Sequence, residues 1–121
     1  MKKILIIEDD SFLQDLEAVK LKKEKYEVIT ASTGEEAVNM ISEPNIDIIL
    51  LDLILPNYDG FEILKKIREI DNLKEIPVIV FSNLSEEKDI KKSKELGATD
   101  FMVKSNFTLD ELVKHINKIL K

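Results

Sequence analysis

Short continuous apolar runs alternate with amphipathic stretches along this chain, and that alternation constrains its fold more than any other feature. The runs span Lys3 to Ile7, Glu27 to Thr30, Ile46 to Leu51, Val78 to Phe81 and Phe101 to Val103, each rich in Ile, Leu, Val or Phe. Strands of this kind belong in a sheet covered on both faces, so they predict parallel strands with helices above and below. Between them, Phe12, Leu16 and Val19 keep helical spacing, as do Ala37, Val38 and Ile41, and then Ile63, Leu64, Ile67 and Ile70. The last helix is the clearest, with Leu109, Leu112, Val113, Ile116 and Leu120 in one stripe and Thr108 with Glu111 as a capping box. The fourth, from about Glu86 to Leu96, sets only Ile90 and Leu96 among Lys88, Lys91, Lys92 and Lys94. It should be the loosest, with Ser85 as its N-cap and Gly97 in the left-handed position past its end.

Crossovers between parallel strands are right-handed, so five βα units give an open α/β sheet with helices on both faces, whereas a closed barrel needs about twice the length. The 121 residues form one domain, long enough to bury roughly two-thirds of the unfolded surface. No linker, repeat or low-complexity segment interrupts the alternation. Because the chain ends at Lys121, right after the last helix, no DNA-binding or enzymatic output domain is expected within it.

Composition removes several classes of chemistry. There is no cysteine, hence no disulfide, thiolate nucleophile or Cys-ligated metal, and the single imidazole, His115, cannot build a multi-histidine zinc site. His115 reads as a solvated structural residue. A net charge of −6 disfavours nucleic acid or an anionic membrane as the default partner, because counterion release needs a basic surface. The basic start Met1-Lys2-Lys3 is followed by only four apolar residues before acids, too few for an export signal, and no run reaches membrane-spanning length. A soluble, cytoplasmic protein is the expectation.

Ligands of open α/β sheets gather outside the carboxyl ends of the strands. Here those ends carry Glu8, Asp9 and Asp10 after strand one, Asp52 after strand three, Ser82 and Asn83 after strand four, and Lys104 after strand five. In the flavodoxin-like strand order 2-1-3-4-5, Glu8, Asp9 and Asp52 converge. Three acids in one pocket repel one another unless a cation sits among them, and an all-oxygen set selects a hard divalent ion, Mg²⁺ or Mn²⁺. Lys104 adds a fixed positive charge, and the Ser82 hydroxyl offers a hydrogen bond to an oxyanion. A phosphoryl group fits this space, with the Asp52 carboxylate as nucleophile and an aspartyl phosphate as product.

In these residues and their order the chain resembles the receiver domain of bacterial two-component response regulators, in its stand-alone CheY-like form. The resemblance covers the whole chain, 1–121. It rests on Ile4-Leu5-Ile6-Ile7-Glu8-Asp9-Asp10, on Asp52-Leu53-Ile54-Leu55-Pro56 followed by Asp59-Gly60, on Pro77-Val78-Ile79-Val80-Phe81-Ser82, and on Gly97-Ala98-Thr99-Asp100-Phe101-Met102-Val103-Lys104. It implies a flavodoxin-like (βα)5 three-layer sandwich in which Asp52 is the phosphoacceptor. Asp9 would then be a direct magnesium ligand, Glu8 would act through water, and the backbone carbonyl of Ile54 would be the third ligand. Ser82 and Lys104 would hold the phosphoryl group, and Phe101 would turn inward on activation. The implied donor is a phosphohistidine of a sensor histidine kinase or phosphotransfer protein. The implied output surface, for a downstream protein, is the face of helix 4, strand 5 and helix 5. Such a chain is a phosphoacceptor that promotes its own phosphoryl transfer and slow dephosphorylation, rather than an enzyme.

Two departures from the family pattern bear on the site. Ser105 stands where proline usually follows the lysine with a cis bond, and a non-proline cis bond costs about 2.5–4 kcal/mol, so the aim of Lys104 depends on that link. Asn83 replaces a usually small residue, while Ile54 and Leu84 stand where water attack is tuned and cannot orient a water, which implies slow hydrolysis. Taken singly, Asp52 reads as a turn acid, Glu8 and Asp9 as helix caps, Ser82 as a cap and Lys104 as a solvated lysine; their convergence favours the phosphoryl site. The first alternative is an unphosphorylated pseudo-receiver acting as a constitutive interaction module. A flavin or nucleotide carrier would want a phosphate-cradling loop where Glu8-Asp9-Asp10 stand. An aspartyl phosphatase would want Asp-x-Asp where residues 52 to 54 read Asp-Leu-Ile.

Overall fold

The computed structural model describes residues 1–121. Strand β1 (Lys3–Ile7) leads to helix α1 (Ser11–Lys23), and β2 (Glu27–Ala31) to α2 (Gly34–Met40). Strand β3 (Ile48–Leu51) is followed by a small hairpin, β4 (Ile54–Leu55) with β5 (Tyr58–Asp59), and then by α3 (Gly60–Glu69). The chain closes with β6 (Val78–Ser82), α4 (Glu87–Glu95), β7 (Asp100–Val103) and α5 (Leu109–Leu120). The five long strands form one parallel sheet in the order β2-β1-β3-β6-β7. With the hairpin set aside, this is the expected flavodoxin-like order 2-1-3-4-5.

Alternate strand residues point to opposite faces, and each face has its own core. Leu5, Ile7, Ile49, Leu51, Val78 and Val80 pack against Ala37 and Ile41 and against Ile63, Leu64 and Ile67 of α3. Ile4, Ile6, Ile48, Leu50, Ile79 and Phe81 pack against Leu21 of α1 and Leu112 and Ile116 of α5. Helix α4 adjoins α3, with the Lys92 ammonium 4.4 Å from the centre of the Phe61 ring. At the start of α3, a Cβ on Gly60 would stand 2.4 Å from the Leu53 Cα, so the residue that begins this helix must be the smallest. The capping box of α5 is present, Thr108 and Glu111 exchanging bonds of 2.8 and 3.1 Å.

Several local expectations are corrected. The Phe12, Leu16 and Val19 row lies on α1, but it faces outward, with exposures of 74%, 39% and 51%. The inner positions are Gln14, Glu17 and Leu21. Polar contacts set this rotation: Asp10 caps the helix by accepting from the Leu13 amide at 3.1 Å, and the Gln14 amide donates to the Glu8 and Ala31 carbonyls. Strand β3 starts at Ile48 rather than Ile46, after a left-handed turn at Asn45 and an Asp47 carboxylate that accepts from the Lys3 amide at 2.8 Å.

Helix α4 is capped at Glu86, not Ser85, and no side chain bonds its first turn. Its other end is pinned. Gly97 takes the expected left-handed conformation, and the Arg68 guanidinium donates to the carbonyls of Gly97, Leu73 and Ile76. His115 is not merely solvated, for its Nε2 lies 2.9 Å from Asp100 Oδ2 of β7. The Lys104–Ser105 bond is trans, as are all peptide bonds of the chain. No helix is long and apolar enough to cross a membrane.

Candidate functional site

Register brings the site together. In the parallel pair β1–β3, Ile7 stands opposite Leu51, so Glu8 and Asp52 leave neighbouring strands at the same level. In β6–β7, Ser82 pairs with Val103, which places Lys104 one residue beyond on the adjacent strand. Carboxylate oxygens of Glu8, Asp9 and Asp52 all lie within 4.8 Å of one another. Glu8 and Asp52 are 2% and 4% exposed, whereas Asp9 faces solvent at the rim.

Lys104 lies between the two buried acids, its Nζ 2.7 Å from Glu8 Oε1 and 2.6 Å from Asp52 Oδ2. The remaining oxygens take backbone donors, the Asp10 amide on Glu8 Oε2 at 3.1 Å and the Ile54 amide on Asp52 Oδ1 at 3.0 Å. Burial first, and then the charge of Asp52, push the Glu8 carboxyl up to about 7 against the opposing pull of Lys104 and the Asp10 amide. For Lys104 burial alone would pull the ammonium down, but its bonds to Asp52 and Glu8 and their charges outweigh this and raise it.

Ser82 is fully buried, and its Oγ accepts only a long 3.4 Å bond from the Leu84 amide. Phe101 sits opposite Val80 on β7, half-buried against the α2–α3 core together with Leu84 and Ala98. Ile54 opens the hairpin two residues beyond Asp52, its side chain 49% exposed. The donor set fits a hard divalent cation, since the three acids supply oxygen only and Asp9 opens to water. The Lys104 ammonium bridges two of those acids, its single positive charge shared between them.

One residue of this region was passed over in the sequence. Glu17, on the inner face of α1, is 2% exposed and neither of its oxygens has a hydrogen-bond partner. Burial first, then the charge of Glu8, push it up to about 8. The spacing from Gln14 to Glu17 to Leu21 carries the signal, but only once the rotation of α1 is fixed.

The arrangement is that of a doubly wound α/β protein whose acidic pocket lies at the carboxyl edge of its sheet. Residues 4–117 match the response regulator receiver domain, and the chain belongs to that family. Among solved structures, it is similar to chemotaxis protein CheY4 of Vibrio cholerae, at 28% identity and a TM-score of 0.91, with 99% of each chain covered. A CheY-like receiver domain protein of Methanospirillum hungatei gives 27% and 0.91, covering 99% of this chain and 94% of the other. The response regulator Rcp1, in its Mn²⁺-bound form, gives 33% and 0.82 over 98% and 91%.

Proposed function

We propose that this receiver takes a phosphoryl group from a phosphohistidine onto Asp52 in the presence of Mg²⁺, for which Mn²⁺ can substitute, and that the change is read on the face of α4, β7 and α5. One observation carries the reading: two buried carboxylates and one ammonium held within 2.7 Å contacts beside a third, solvent-facing acid. The Mn²⁺-bound form of Rcp1 supports the choice of ions.

In the transfer, an Asp52 carboxylate oxygen forms a bond to phosphorus while the phosphorus–nitrogen bond to the donor imidazole breaks, the nitrogen keeping that electron pair. A divalent ion held by Glu8, Asp9, Asp52 and the Ile54 carbonyl would neutralise charge on the transferring oxygens. The Ile54 amide fixes one oxygen of Asp52 and so presents the other. Lys104, released from Asp52 as its charge is redistributed, follows the phosphoryl oxygens, and the Ser82 hydroxyl, held here only by a long bond, donates to them. Ser82 and Phe101 then carry the change toward β7, as a two-state equilibrium biased by the added dianion. The exposed row of Phe12, Leu16 and Val19 begins three residues beyond Asp9 of the acidic pocket and supports docking of a helical donor beside it.

Intact mass after incubation with acetyl phosphate tests this. The parent gains one phosphoryl group with Mg²⁺ and none with EDTA, and Asp52→Asn gains none. A parent that takes up nothing favours the pseudo-receiver, a constitutive interaction module. Neither Ile54 nor Leu84 can orient an attacking water, so the phosphoryl group is expected to persist for minutes or longer. Its loss within seconds, followed by mass after removal of the donor, would contradict that role for the two residues.

A further inference from the structure

A groove of about 720 Å³ runs along the outer face of α5. Its apolar surface comes from the 39%-exposed Phe107, with Met102 at the floor, only 5% exposed and part of the core, and Lys114, Lys118, Lys121 and His115 line the remainder together with Glu111 and Asn117. The two last are engaged within the chain, Glu111 in the cap of α5 and Asn117 with Tyr26 and Glu24. Lys121 has Glu24 at 3.6 Å and His115 has Asp100. Lys114 and Lys118, both exposed, pair with no carboxylate of this chain, which leaves them as the free cations of the groove.

Charge along the sequence is divided in the same sense. Residues 1–85 hold 17 acids against ten bases, and residues 86–121 hold seven acids against eight. The acid surplus therefore belongs to the first part of the chain, while the segment that builds α4, β7 and α5 is slightly basic. We infer that the α5 groove takes an acidic segment of a partner protein, an apolar side chain seated on Phe107 and its carboxylates on Lys114 and Lys118. The chemistry selects a protein over nucleic acid or an anionic membrane. Only two unpaired ammonium groups flank an apolar seat, too few to track the repeating charges of an extended polyanion. This deepens the receiver reading by giving the output face a partner class, and it rests on that reading for its regulatory meaning.

The probe is a fluorescein-labelled peptide alternating glutamate with leucine, followed by anisotropy against the full chain before and after treatment with acetyl phosphate and Mg²⁺. A peptide with lysine in place of glutamate serves as the control, and unlabelled single-stranded DNA and phosphatidylserine vesicles as competitors. Binding of the acidic peptide is expected to weaken by ~10-fold or more in the double variant Lys114→Glu, Lys118→Glu, to weaken comparably in Phe107→Ser, and to fall with salt. Equal affinity of the double variant, equal binding of the lysine peptide, or displacement by DNA or vesicles at lower concentration overturns the inference. Intact mass of each variant, run alongside, keeps the two questions apart. Normal phosphorylation with an unresponsive groove sinks the groove alone, and absent phosphorylation with selective peptide binding sinks only the receiver chemistry.

Discussion

Lys104→Ala is expected to lower stability by about 3 kcal/mol in metal-free buffer at pH values above the Glu8 titration, since removing one partner of a buried ion pair leaves its charge uncompensated. The effect is large because one ammonium serves two carboxylates, Glu8 at 2.7 Å and Asp52 at 2.6 Å, and both acids are nearly inaccessible to water. Backbone amides on their other oxygens cannot replace a full charge. The loss is bounded, because Glu8, already raised by its burial, takes up a proton more readily when its counter-charge goes.

The pH dependence has a definite sign. Glu8 already titrates near 7 in the folded chain against an ordinary 4.5, so the folded state holds its proton more tightly and stability falls as pH rises between those values. Without Lys104 the folded value climbs further, so the difference between variant and parent grows as pH rises through the Glu8 titration. Mg²⁺ binds the same oxygens, so millimolar Mg²⁺ should return a substantial part of the loss to the variant and do less for the parent. Urea denaturation with EDTA or Mg²⁺, at acid and mildly alkaline pH, measures all of this. A variant as stable as the parent in EDTA at alkaline pH would mean that Lys104 does not balance the pocket.

The pocket was legible in the sequence for a geometric reason. A parallel sheet puts every strand's carboxyl end on one edge, so the residue after each apolar run lands there whatever the exact boundary. The place of Glu8, Asp52, Ser82 and Lys104 at that edge therefore follows from periodicity, whereas the strand order that makes them neighbours and the role of Lys104 leaned on the resemblance to the receiver family. What Lys104 touches did not follow, because a flexible side chain chooses among partners that only coordinates bring within 3 Å. The hairpin of Ile54–Leu55 with Tyr58–Asp59 is too short to impose a period. His115 escaped notice as a partner of Asp100 because the contact joins α5 to the edge strand, fifteen residues away.

Helix α1 shows where hydrophobic spacing misleads. Phe12, Leu16 and Val19 form an orderly apolar row, yet the helix turns Gln14, Glu17 and Leu21 inward. Both rows are compatible with the helical period, and burial of Leu21 with the three bonds of the Gln14 amide decides between them. The consequence is a carboxylate sealed against the core without a partner.

Glu17→Leu is accordingly expected to stabilise the protein by about 3 kcal/mol above pH 8, because leucine fills similar volume without desolvating a charge. The folded Glu17 titrates at about 8 against an ordinary 4.5, so the parent loses stability as pH rises through that interval. Below about pH 4.5 the acid is neutral in both folded and unfolded states, and there the gain shrinks to the difference between a buried carboxylic acid and a methyl-bearing side chain. Glu17→Gln separates the two contributions. It abolishes the titration but keeps an unpartnered polar group, so its stability curve should flatten with pH while its gain stays below that of leucine. Parallel curves for parent and Glu17→Leu between about pH 5 and pH 9 would show that the Glu17 carboxylate reaches water in solution. A selective gain at high pH, with Asp52 still taking up phosphoryl from acetyl phosphate, would show that the transfer does not need this acid.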